Sequence, residues 1–72
     1  MKEFDSVVLT RRMPKTKLKA GDIGTVVHRY PGGGYEVEFL VGSGDTVAVL
    51  TLPEKHLRPM APSEILHARE LE

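Results

Sequence analysis

Cysteine and tryptophan are both absent from this chain, and its aromatic residues number only two Tyr and two Phe. Without Cys there is no disulfide framework and no thiolate-held zinc to stabilise a small domain. No apolar run approaches the roughly 18 residues that a membrane-spanning helix needs. Met1-Lys2-Glu3-Phe4 is followed by an acid, not by the apolar core of a signal peptide. The expectation is a cytoplasmic protein. Charge of one sign is also lacking, since ten Lys and Arg balance ten Asp and Glu. That balance argues against a dedicated nucleic-acid binder working by bulk electrostatics.

What remains fills one domain. The 72 residues, 40% hydrophobic and 28% charged, have an ordinary globular composition near the lower size limit for independent folding. With no covalent or metal crosslink, a barrel without free edges, or an oligomer, is the expected source of stability.

The apolar pattern has a period of two, which is that of strands. Asp5–Thr10 reads as a first strand, with Val7 and Leu9 on one face. Arg12–Ala20 contains Pro14, is polar and lacks periodicity, so it reads as a loop. Ile23–Tyr30 is a second strand, rich in β-branched residues. Pro31-Gly32-Gly33-Gly34 forces a turn. In Tyr35–Val41, Tyr35, Val37, Phe39 and Val41 point one way and Glu36, Glu38 and Leu40 the other. Gly42-Ser43-Gly44-Asp45 suits a hairpin. Thr46–Leu52 is a strand of nearly continuous apolar character, so both its faces are expected to be covered, or one to meet a partner. Pro53–His56 suits a 3₁₀ turn, and Leu57–Pro59 a short edge strand where Pro is tolerated. Ser63 is placed to cap a short helix over Glu64–Glu70, although Ile65, Leu66 and Leu71 give it only a weak apolar stripe.

Five short strands with a long loop after the first imply an all-β fold: a five-stranded SH3-like barrel over residues 1–60, then a tail over 61–72. The expected core is Val7, Leu9, Val26, Val37, Phe39, Ala48, Leu50 and Leu57. Gly24 is expected where the second strand bends over the barrel.

Asp5-Ser6-Val7-Val8-Leu9, Gly21-Asp22-Ile23-Gly24-Thr25-Val26-Val27, Tyr35-Glu36-Val37-Glu38-Phe39, Leu50-Thr51-Leu52 and Leu57-Arg58-Pro59 together resemble a family of small bacterial and cyanobacterial proteins known as a domain of unknown function. The resemblance covers about residues 4–60 and implies an SH3-like fold in a free-standing bacterial protein. It supplies no catalytic residues. More distantly, Gly21–Val27 resembles the KOW element of ribosomal proteins and transcription elongation factors, and the barrel resembles small SH3-like subunits of photosynthetic and redox complexes. Fold alone does not give function.

Residues with catalytic chemistry are sparse. His28, His56 and His67 lie on different elements without metal-ligand spacing, and read most simply as surface histidines. Ser6, Ser43 and Ser63 lack a nucleophile-elbow context. Glu36 and Glu38 would share a strand face, which is more often a solvated face than a paired-carboxylate site. The glycine triplet lacks the Lys-Ser/Thr and helix of a phosphate cradle. No catalytic, cofactor-binding or metal-ligating residue is expected, and the protein is read as not an enzyme.

The distinctive feature is a run of five cations with no acid between them: Arg11, Arg12, Lys15, Lys17 and Lys19. Long exposed loops are commonly charged for solubility alone. The functional alternatives are an acidic protein partner and, less favoured, RNA or another polyanion bound in the KOW manner. Tyr30 is the candidate exposed aromatic, while Tyr35 shares its face with the core. Val47 and Val49 on the fourth strand are the candidate apolar contacts. The reading is a small interaction module acting as an accessory, regulatory or antitoxin-like partner, with no cofactor and no membrane.

Overall fold

The computed structural model describes residues 1–71. Strands β1 (Ser6–Leu9), β2 (Ile23–Arg29), β3 (Gly34–Leu40), β4 (Thr46–Pro53) and β5 (Leu57–Pro59) follow in the expected order, with a 3₁₀ turn at Glu54–His56. They form one sheet, ordered β4-β3-β2-β1-β5, in which every pairing is antiparallel.

The sheet is all-β as expected, but it is not closed as a barrel. Closure would need β4 to pair with β5, and neither end of the sheet reaches the other. The intervening turn is short, β5 has only three residues, and its Pro59 has no N–H to offer. The edge-free barrel anticipated from the composition is therefore corrected to an open, curled sheet.

Alternation selects the core. Tyr35, Val37 and Phe39 of β3 are buried, while Glu36 and Glu38 are half-buried and Leu40 is exposed. Val7 and Leu9 of β1, Val26 of β2, Leu52 of β4 and Leu57 of β5 join them in one cluster. Each such side chain contributes about 1.5–3 kcal/mol on burial. Ala48 and Leu50, expected inside, are only partly buried at the cluster's margin. That is a direct consequence of the open sheet, which leaves no strand beyond β4 to cover them. Val8 faces away from the cluster yet is buried too.

Irregularities shape the two long hairpins. The β2–β3 register shifts between Val26 and His28. In β3–β4, Phe39 pairs with Ala48 but Leu40 with Thr46, so Val47 is an extra residue. The bulge turns Val47 against the core while Val49 stays 46% exposed. The two valines, expected to present one apolar surface, do not share a face.

Gly24 pairs with Val7 and lies beneath the β3 side chains. A Cβ built there would sit 2.6 Å from Val37 Cγ1 and 2.8 Å from Phe39 Cε1. Only a residue without a side chain lets β3 lay its core residues over β2 at this point. Gly21, with φ of 95°, makes the preceding bend and donates its N–H to Leu9 O at 2.7 Å.

The helix considered over Glu64–Glu70 does not form, and residues 65–71 have no regular structure. Glu64, the acid meant for the first turn, is instead drawn back onto Arg58 and the Ala61 N–H. Ile65 and Leu66 remain 90% and 71% exposed, so no buried stripe would compensate the cost of nucleation.

Gly24→Ala is expected to destabilise the domain by about 1–3 kcal/mol, the usual cost of forcing atoms into a packed core. Val37→Ala removes one of the colliding atoms, so the double variant should lose less than the sum of the single losses. Urea denaturation of the three variants checks both statements; a strictly additive result would contradict the steric account.

Candidate functional site

The loop between β1 and β2 is folded. Met13 and Leu18 are buried in the core and bracket its tip, with Met13 N–H donating to Leu18 O at 3.2 Å. Thr16 Oγ1 donates to Met13 O at 2.8 Å and accepts from the Leu18 N–H at 3.1 Å. Lys15 completes the turn in the left-handed region, with φ of 67°. Two apolar anchors and a threonine clasp therefore hold a six-residue tip whose other side chains point into solvent.

Arg11, Arg12, Lys15, Lys17 and Lys19 are all exposed. Among the described residues none of the five is in an ion pair with a carboxylate. Arg11 instead lies 3.4 Å from Nε2 of His56. Partial desolvation, with the charges of Arg11 and Lys55, holds the His56 pKa below its ordinary value of 6.5. Lys55 thus extends the basic rim onto the neighbouring 3₁₀ turn, where its carbonyl accepts from Thr10 Oγ1.

Asp22, at the base of the loop, is occupied. Its carboxylate accepts from the Lys19 N–H at 2.8 Å, from Arg69 Nε at 2.8 Å and from Arg69 Nη2 at 2.6 Å. Arg69 also donates to Lys17 O at 2.7 Å. The Arg69 hydrogen bonds, above all, hold the Asp22 pKa below 3.8. Arg69 therefore ties the tail to the base of the loop and occupies the Asp22 carboxylate there.

A second fork fastens the other end of the tail. Arg58 donates to both oxygens of Glu64 at 2.7 Å, and the Ala61 N–H adds a 2.8 Å bond. These bonds, led by the Arg58 fork, lower the Glu64 pKa from 4.5 to about 2. Between tail and sheet lies an open cleft of about 510 Å³, walled by Leu18, Ile23, Leu40, Val47 and Leu71. Asp22 and Arg69 in its wall are bonded to each other, and His67 and Glu70 line it as well.

The remaining candidates stand apart from this rim. Tyr30 is 38% exposed, but its hydroxyl donates to Glu36 at 2.6 Å and its ring meets His28 edge-on at 4.5 Å. The Glu36 carboxylate raises the Tyr30 pKa above 10. Glu38 accepts from Thr46 Oγ1 at 2.7 Å, so the two strand carboxylates serve separate neighbours. Among the described residues no three His, Asp or Glu side chains gather as metal ligands. Val47 belongs to the core margin and the cleft, and Val49 to the opposite face of β4. Sequence reasoning missed Met13, Leu18, Asp22 and Arg69 as the residues that shape the loop. Of these only the Met13–Leu18 pair, flanking the loop's turn, carried a local signal.

Both tail clips depend on carboxylates whose folded pKa is depressed, so their contribution is full above the unfolded values and is lost as pH falls through the folded ones. The tail should be ordered at neutral pH and released on acidification, the Glu64 clip opening between pH 4.5 and about 2. Heteronuclear relaxation of the residue 61–71 amides reads this directly. Arg69→Ala should mobilise the tail's end at neutral pH while leaving the strands ordered; an unchanged tail would refute the clip.

No curated protein and no solved structure matches this chain. A family profile does match, over residues 3–59, which take in all five strands and the basic loop and leave the clipped tail outside. No helix of the described residues is long and apolar enough to cross a membrane. The chain belongs to the family described as Domain of unknown function (DUF4926).

Proposed function

We propose that this protein is a non-enzymatic interaction module of the bacterial cytoplasm, which binds an acidic surface of a protein partner with the rim of its Arg11–Lys19 loop. The observation that carries the reading is the combination of fixed backbone and free charge. Met13, Leu18, Thr16 and the Arg69 bond to Lys17 O pin the loop from below, while its five cations have no carboxylate partners among the described residues. A pre-ordered loop loses little entropy on binding, and a patch of one sign steers an oppositely charged partner and rejects like-charged ones. Val49 is exposed on the outer face of the sheet and is the apolar contact of this reading. An accessory, regulatory or antitoxin-like role would use this surface in the same way.

RNA bound in the KOW manner is the second reading, and it rests on the same cations. It is weaker because the chain has no net charge and because the ring of Tyr30, the aromatic suited to stacking, already makes an edge contact with His28. An enzyme would need convergent polar groups held in a cleft; the Asp22–Arg69 pair beside the cleft is internally bonded, and His67 and Glu70, also in its wall, are both on the exposed tail.

The test is recovery of partners from the native host by the tagged chain, with and without nuclease, against the variant Lys15→Glu/Lys17→Glu/Lys19→Glu. The expected result is an acidic protein recovered despite nuclease and lost with the charge-reversed loop. Moderate salt should reduce but not abolish it. Nuclease-sensitive recovery with a steep salt dependence would replace this reading with the RNA one.

A further inference from the structure

We propose that the open edge of β4 is a self-association surface, where a second copy of this chain adds its own β4 antiparallel and continues the sheet across a two-fold axis. This surface is distinct from the basic loop, and the inference does not rest on that reading.

The two edges of the sheet are guarded very differently. β5 is three residues long, carries Arg58 and ends in Pro59, features that blunt an edge against pairing. β4 runs eight residues, Thr46–Pro53, without a single charge and with Pro only at its end. Among the described residues no backbone hydrogen bond reaches β4 from the side away from β3. An uncharged strand of this length with an open edge invites another strand.

The register tells which groups are open. Tyr30 N–H donates to Gly34 O and Val41 N–H to Asp45 O, which sets the alternation of β3 between its two neighbours. Tyr35, Val37 and Phe39 then exchange bonds with Leu52, Leu50 and Ala48, and the N–H and C=O of Val49 and Thr51 face outward. Centring a two-fold on Leu50 pairs Val49 of each copy with Thr51 of the other and satisfies both outward N–H groups of each edge. Sliding one way sets Val49 opposite Pro53, which has no N–H to return; sliding the other way runs Thr51 into the bulge at Val47.

Side chains favour the same occupant. In the centred register Leu50 meets its own copy and Ala48 meets Leu52, covering the Ala48 and Leu50 margin that the open sheet leaves partly exposed. The strand carries no charge, so no like charges come face to face along it. A second copy therefore completes what barrel closure would have done.

Sedimentation equilibrium of the full chain tests the proposal, together with amide hydrogen exchange. The expected result is a mass rising with concentration from 8.0 kDa to twice that value, with Val49 and Thr51 amides becoming protected over the same range. Val49→Lys should return the mass to that of a single chain without altering the exchange of the core strands. A single-chain mass at every concentration leaves the edge to a strand from another protein and overturns the proposal. A dimer in which Val49 and Thr51 exchange freely, or one that survives Val49→Lys, overturns it too. Should Val49→Lys not fold, the concentration dependence of the two wild-type amides decides alone. The charge-reversed loop variant should keep the doubled mass, so loss of the acidic partner and loss of the dimer are told apart.

Discussion

The fold depends on one close approach, the crossing of β3 side chains over the bare backbone of Gly24. Val37 and Phe39 occupy the space a Cβ would need, and both are essentially excluded from solvent. Because Gly24 also pairs with Val7, the same point joins the two halves of the sheet. The curl made possible here brings Leu9, Leu52 and Leu57, from three different strands, onto one cluster. For a chain of this size, whose stability is on the order of 4–11 kcal/mol, a collision costing about 1–3 kcal/mol is a large fraction of the whole.

What was legible in the sequence follows from how local each determinant is. Alternation in Tyr35–Phe39 is a property of adjacent residues, so the buried and exposed faces of β3 could be read directly. Gly24 inside a β-branched run marked the bend for the same reason. Val47 was misplaced because a bulge depends on the partner strand's register, which no period within β4 reveals. Met13 and Leu18 read as part of a polar loop because two apolar residues without periodicity look incidental until the core beneath them is known. Least legible was Arg69, whose partner Asp22 lies 47 positions away. The expected tail helix does not form because its first acid, Glu64, is taken by the fork from Arg58, which lies before the helix's own cap.

Charge in this molecule is organised by arginine. Arg58 and Arg69 each meet a carboxylate through two nitrogens, the geometry in which guanidinium is strongest. The lysines of the loop have no such partner and remain exposed on a folded loop. A neutral chain thereby acquires a positive rim without carrying a net charge, and Asp22 at the base of that rim is already paired with Arg69.

The unequal edges of the sheet have a consequence for assembly size. A sheet with two open edges can add copies at both, and such growth has no end, which is how fibres form. Here Arg58 and Pro59 leave β5 unsuited to pairing, so each copy has a single edge to give. Once two β4 strands have met, neither molecule offers another edge, and growth stops. The short, proline-ended last strand therefore acts as a chain terminator, protecting a long uncharged strand from polymerisation.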